Sequence, residues 1–116
     1  MTSFSPPPKL RCTLESADDI VNAVYFIATS KKKLKGAEVF NVGKGEPVGL
    51  MPFIQAIEKH TGKAIGKRFV PAETGDVEIT YSSIDKLQDE IRFTPNTSLD
   101  KGISDLVNWC RSFYKL

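Results

Sequence analysis

Histidine, cysteine and tryptophan are scarce in this chain, and each scarcity excludes something. His60 is the lone histidine among 116 residues, and the cysteines are Cys12 and Cys110 alone. No C-x-x-C occurs, and His60 has no partner at metal-ligand spacing, so neither a zinc site nor a thiol-redox motif is expected. Free thiols fit a reducing compartment, and a cytoplasmic location is the expectation. Hydrophobic runs are short, and nothing approaches the ~18 apolar residues that cross a bilayer. No basic start followed by an apolar run marks a signal peptide. A formal net charge of +2 is too small to argue for nucleic acid. Lys31, Lys32, Lys33 and Lys35 form the densest basic stretch, and their position between a helical and a strand pattern reads as a solvated loop. Asn96-Thr97-Ser98 has the glycosylation spacing, but it reads better as a helix start.

The catalytic motifs are missing too. A dinucleotide loop needs three spaced glycines between strand and helix, because backbone must approach the pyrophosphate closely. Gly43-Lys44-Gly45 is the nearest match. It lacks the third glycine and runs into Glu46-Pro47, where a carboxylate repels phosphate, so it reads as a plain loop. No Walker motif, nucleophile elbow or triad is present. Tyr25 is followed four residues on by Thr29, Tyr81 by Asp85, and Tyr114 stands two residues before the last one given, so no Y-x-x-x-K pair is found in these residues. Cys110 falls on an apolar helical stripe without a histidine and reads as a structural thiol.

What is present is an ordinary globular composition, 41% hydrophobic and 26% charged. Residues 1–12 carry Pro6, Pro7 and Pro8 and read as a tail or linker. Residues 13–116 read as one domain. Ser16 opens a helix with Asp19 at capping-box spacing, and Ile20, Ala23, Val24, Ile27 and Ala28 share its apolar face. Val39, Phe40 and Val42 predict a short strand closed by Gly43 and Gly45. Residues 48–61 predict a helix with Pro52 in its first turn, an apolar stripe of Leu50, Phe53, Ile54 and Ile57, and Gly62 as terminator. His60, near its end, reads as a surface cap. Extended runs follow at 67–71 and 77–83, the latter with Val77, Ile79 and Tyr81 on one side. A short helix is predicted over 83–91. The last helix begins at Thr97, with Asp100 at capping-box spacing. Leu99, Ile103, Leu106, Val107, Cys110, Phe113 and Tyr114 make its core stripe. Trp109 lies off that stripe and hints at an anchor on another surface. The resulting class is α/β (mixed α+β), with about four helices and three short strands. So little strand under so much helix leaves a sheet face or edge uncovered.

Four stretches then stand out together: DDIVNAV at 18–24, FNVGKGEPVGLMPFIQAIEKHTGK at 40–63, VPAETGDVEITYSSI at 70–84 and FTPNTSLDKGISDLVNWCRSFY at 93–114. In order and spacing they resemble the C-terminal portion of nucleotide-sugar epimerases, extended short-chain dehydrogenase/reductases. The UDP-glucuronate 4-epimerase branch is the nearest in flavour. The resemblance runs from about residue 12 onward. It implies a fragment that lies against a UDP-sugar, with NAD and the Y-x-x-x-K pair in a Rossmann half not found here. The implied substrate-binding residues are Glu73, Gly75, Asp76 and Val77, with Asp76 accepting from ribose hydroxyls. No catalytic, cofactor-binding or metal-binding residue is implied within the chain. At Glu73 the family carries an arginine or glutamine toward the diphosphate. Alignment on Asp19 places Cys12 where another phosphate-facing arginine is expected, with Arg11 one residue out of register. Ser82-Ser83 replace the family's Ala-Asp. Like charges cost free energy, so a retained UDP-sugar site is weighed against an interaction or structural domain that has lost its ligand. The implied partners are a UDP-sugar, and a protein or second copy over the surface that the Rossmann half would cover, with no nucleic acid and no membrane.

Overall fold

The computed structural model describes residues 11–71, 73–75 and 77–116. Helix α1 (Ala17–Ala28) starts at Ser16, whose backbone is extended and whose hydroxyl accepts from the Asp18 N–H at 3.3 Å. Asp18 and Asp19 sit at the positive end of the helix dipole. Asp19 does not fold back on Ser16 as the capping-box spacing predicts. Its carboxylate is only 4% exposed and accepts from the Thr97 N–H at 3.1 Å and the Thr97 hydroxyl at 2.9 Å. This tie sets which face of α1 turns inward. Asp19 and Ala23 are buried and Ile27 is half-buried, whereas Ile20, Val24 and Ala28, expected in the core, are exposed. Val21 and Tyr25 stand out beside them.

Helix α2 (Leu50–Thr61) holds Pro52 in its first turn, where the missing N–H has no acceptor to lose. Gly62 ends it with φ 70° and an N–H donated to the Glu58 carbonyl at 2.9 Å. The stripe of Leu50, Phe53, Ile54 and Ile57 is half-buried throughout. Helix α3 (Leu99–Tyr114) is capped by Ser98, one residue later than predicted, whose hydroxyl accepts from the Lys101 N–H at 3.1 Å. Thr97 is thereby released to bind Asp19. The predicted stripe of α3 splits along its length. Ile103 and Val107 are buried and Leu99 and Cys110 half-buried, but Leu106, Phe113 and Tyr114 are exposed.

Helices α2 and α3 form the main interhelical contact. The Arg111 guanidinium donates to the Thr61 carbonyl at 2.9 Å, satisfying an orphan acceptor at the end of α2. Between α2 and α3, residues 85–91 form a short helix whose last turn, Leu87–Ile91, is wound in π and ends at Arg92 with φ 59°. Leu87 there is fully buried, worth about 2 kcal/mol of transfer free energy.

The sheet differs from expectation. Strand β1 (Arg11–Cys12) is central, antiparallel to β2 (Val48–Gly49) and parallel to β3 (Ile79–Thr80). Only β3 lies in a predicted run, and it keeps two residues of it. Arg11 and Cys12, assigned from sequence to the tail, are the strand that joins the other two; the rest of the Pro-rich stretch lies outside the described residues. Val48 and Gly49, expected in a helix, pair with them just before α2. The predicted strands at 39–42 and 67–71 are not in the sheet. A strand is stable only through a ladder partner, and no described residue offers one to those segments.

The resulting core is thin: Ala23, Ile84, Leu87, Ile103 and Val107 are its buried apolar members among the described residues. The accessible surface is 9257 Å², against the roughly 6,300 Å² that a compact monomer of this mass exposes. Of the expected α/β class, four helical segments and a vestigial sheet remain, and the fold is mostly helical.

Candidate functional site

The turn before β3 carries the residues that the resemblance singles out. Gly75 has φ 101°, and a Cβ built on it would meet nothing within 4 Å. Its glycine is therefore required by conformation, not by crowding. Glu73 and Val77 on either side are exposed. Asp76, the expected ribose acceptor, lies outside the described residues.

The sheet register decides what stands beside this turn. The Arg11 N–H donates to the Glu78 carbonyl at 2.7 Å, and Arg11 is opposite Ile79 on one side and Gly49 on the other. Arg11 is exposed and makes no ion pair among the described residues. The chain thus places an available guanidinium on the strand adjoining the 73–77 turn. Register counting from Asp19 alone set Arg11 aside, and the missing signal was that residues 11 and 12 are a strand at all. The structure brings together Arg11, the exit of the turn and the Gly49 start of α2. It does not bring in the other residues weighed from sequence.

Those other residues have structural duties. A Cβ on Gly45, which has φ 78°, would meet the Ile84 side chain at 3.2 Å, and one on Gly43 would meet the Glu15 carboxylate at 3.0 Å. Close packing at both positions accounts for the two glycines. Lys86 holds the neighbouring strand-like segment, donating to the Val39 carbonyl at 3.0 Å and lying 4.6 Å from the Phe40 ring centre. His60 bonds a neighbouring helix instead of capping its own. Its Nε2 is 3.0 Å from the Asp100 carboxylate, and the Lys59 ammonium is 2.8 Å from the same oxygen. Hydrogen bonds from Lys59 first and His60 second hold the Asp100 carboxyl below its ordinary value. Trp109 is exposed and stacks on Phe113 at 5.0 Å, and Phe113 meets Tyr114 edge-on at 5.0 Å. Cys110 is a free, half-buried thiol on α3. Among the described residues no helix is long and apolar enough to cross a membrane.

The family resemblance holds on comparison with known proteins. The chain is 34% identical over 113 residues to Protein CapI of Staphylococcus aureus, covering 84% of this chain and 34% of that protein. It is 35% identical over 77 residues to a probable UDP-glucuronate 4-epimerase of Rhizobium meliloti (strain 1021), covering 66% of this chain and 23% of that protein. The solved UDP-glucuronic acid 4-epimerase from Bacillus cereus in complex with NAD superimposes with a TM-score of 0.78 at 25% identity, over 93% of this chain and 32% of that one. The same enzyme with UDP-glucuronic acid and NAD gives a TM-score of 0.72 at 27% identity, over 84% and 31%. No known family profile matches the chain.

The chain corresponds to part of the NAD-dependent UDP-sugar 4-epimerases of the extended short-chain dehydrogenase/reductase class, and it fits their C-terminal portion. It spans about a third or less of the length of the relatives it matches.

Proposed function

We propose that this chain is the nucleotide-sugar-binding portion of a UDP-glucuronate 4-epimerase-like protein. The observation that carries the reading is the 27%-identical superposition on the Bacillus cereus enzyme complexed with UDP-glucuronic acid and NAD. In this reading the 73–77 turn meets the nucleotide, with Asp76 accepting from ribose hydroxyls and Gly75 supplying the left-handed backbone. Arg11, on the adjoining strand, offers the positive charge that Glu73 does not. The chain binds and orients the sugar nucleotide, and hydride chemistry belongs to the NAD-binding portion that it does not span.

A second reading is an interaction or structural domain whose ligand site has lapsed. Glu73 favours it, because a carboxylate facing a diphosphate repels it. Calorimetric titration of the purified chain with UDP and UDP-glucuronate, with NAD as control, separates the two. Saturable binding of the UDP compounds and not NAD is expected. Glu73→Arg reverses one charge near a diphosphate, worth about 1–2 kcal/mol near a protein surface, so affinity should rise by about tenfold. A folded chain that binds neither UDP compound, and a variant that gains nothing, would sink the binding reading and leave the second.

A further inference from the structure

We propose that the outward face of α3 is a dimer interface, on which two copies of this chain lay their last helices antiparallel, each Phe113 seated over the other copy's Gly102. The face has the spacing of a two-helix seam. Gly102, Leu106, Trp109 and Phe113 follow one another at intervals of four, three and four residues, the a/d repeat by which one helix packs on another. The three side chains turn away from the core of their own chain. Leu106 is 51% exposed, Trp109 56% and Phe113 63%. Trp109 stacks on Phe113 with ring centres 5.0 Å apart, and Phe113 meets Tyr114 edge-on at 5.0 Å, so the rings form one continuous apolar surface.

Gly102 points to the occupant. It sits inside a helix of 16 residues, where only proline is less favourable than glycine. Its backbone is not left-handed, and a Cβ built on it would meet nothing within 4 Å. Neither conformation nor packing within the described chain asks for a glycine there. A second copy does. In an antiparallel seam the a and d layers pair Gly102 with Phe113 and Leu106 with Trp109, and the two-fold axis repeats both pairings. The missing side chain leaves a notch for the Phe113 ring, and Leu106 covers the indole. A face that complements itself in this way selects a second copy over an unlike partner.

Charge permits the pairing. Residues 106–110 carry none, and interface centres are depleted of it. Asp105 beside them is met by the Lys101 ammonium of its own helix at 2.6 Å, and the register sets it near Ser112 of the other copy. Arg111 is engaged on the far side by the Thr61 carbonyl at 2.9 Å. The area sets the strength. Large aromatic side chains bury about 150–250 Å² each, so the exposed parts of the three rings and Leu106 offer roughly 400 Å² per copy. Two copies would bury roughly 800 Å², at the low end of specific interfaces, and a weak, micromolar dimer is the expectation.

The test is sedimentation equilibrium of the chain across the micromolar range, read together with the emission of Trp109, its lone tryptophan. A monomer–dimer equilibrium is expected, with Trp109 emission moving to shorter wavelength and becoming less open to iodide quenching as the dimer forms. Gly102→Leu fills the notch with a better helix former. It should leave the chain at least as stable to urea and yet weaken the dimer by about tenfold or more. Phe113→Lys should weaken it likewise, and Val24→Lys on the exposed side of α1 should not. If a variant unfolds, iodide quenching of the unsubstituted chain as a function of concentration decides the case. A chain that stays monomeric throughout overturns the proposal. So does a dimer in which Trp109 remains open to iodide, or one that Gly102→Leu leaves intact.

Discussion

Replacing Asp19 by alanine tests whether one buried carboxylate fixes the packing of α1 on the start of α3. The Asp19 carboxylate accepts from both the amide and the hydroxyl of Thr97, at 3.1 and 2.9 Å. A hydrogen bond to a charged acceptor contributes about 1.5–3 kcal/mol. Thr97 is half-exposed, so water recovers part of the loss, and about 3 kcal/mol is the expected cost of Asp19→Ala. At a urea slope of about 1.5 kcal/mol per molar, the midpoint should fall by about 2 M with the slope unchanged. Asp19→Asn can still accept from the amide and donate to the hydroxyl, and should cost only about 1 kcal/mol. Thr97→Val should cost about as much, and the double variant Asp19→Ala/Thr97→Val should show about 1–2 kcal/mol of coupling. A capping-box role makes a different prediction: about 1 kcal/mol for Asp19→Ala and no coupling to position 97. Urea melts of the four chains decide it, and Asp19→Ala within about 0.5 kcal/mol of the parent would refute the tie.

Two further outcomes are expected from the same geometry. Gly36 has φ 68° with open space around it, while Gly45 has φ 78° with Ile84 at 3.2 Å from a built Cβ. Gly36→Ala should therefore cost about 1 kcal/mol for conformation alone, and Gly45→Ala about 2–3 kcal/mol once the buried Ile84 must move, read as the difference in thermal or urea midpoint. The Asp100 carboxyl is held below its ordinary 3.8 by Lys59 and then His60. A depressed carboxyl contributes stability that is present above 3.8 and lost as pH falls through its lower folded value. Asp100→Asn should accordingly flatten the acid limb of a stability–pH curve below about pH 4 and change it little between pH 6 and 8. An acid limb identical to the parent's would remove the Lys59–Asp100–His60 contact from the account.

Local signals were legible where the physics is local. Gly62 closes α2 because a glycine in left-handed backbone returns its N–H to Glu58, and that needs no distant partner. Pro52 and Ser16 were placed by the same kind of rule. The register of caps was not legible to the residue. Thr97 and Ser98 both suit an N-cap, and the choice fell to Ser98 because Thr97 has a better acceptor in Asp19, 78 residues away. Apolar periodicity identified α1 and α3 but not which residues they bury. Val24 and Phe113 belong to stripes with nothing over them, and spacing says only that a side shares a face. The strands were the least legible, since a ladder depends on what lies alongside. Val39 to Val42 has strand composition without a neighbour, and Arg11–Cys12 has a neighbour on each side without strand composition. At the candidate site, Gly75 followed from its turn, whereas the nearness of Arg11 followed only from pairing.

The proposed nucleotide site leans on this weak sheet. Strand β3 is held by Arg11 to Glu78 at 2.7 Å and Thr13 to Thr80 at 3.3 Å, and β1 and β2 pair over two residues. Isolated pairs that short are marginal in water, so β3, which follows the turn, is weakly held. Apparent affinity falls in proportion to the fraction of chain in the binding-competent form. By linkage, a nucleotide that binds only the ordered sheet must in turn stabilise it. Under the proposed function, saturating UDP-glucuronate should therefore slow amide exchange in β1 and β3 of the isolated chain. Exchange there unchanged on binding would mean that the short strands are rigid on their own and carry more than their hydrogen bonds account for.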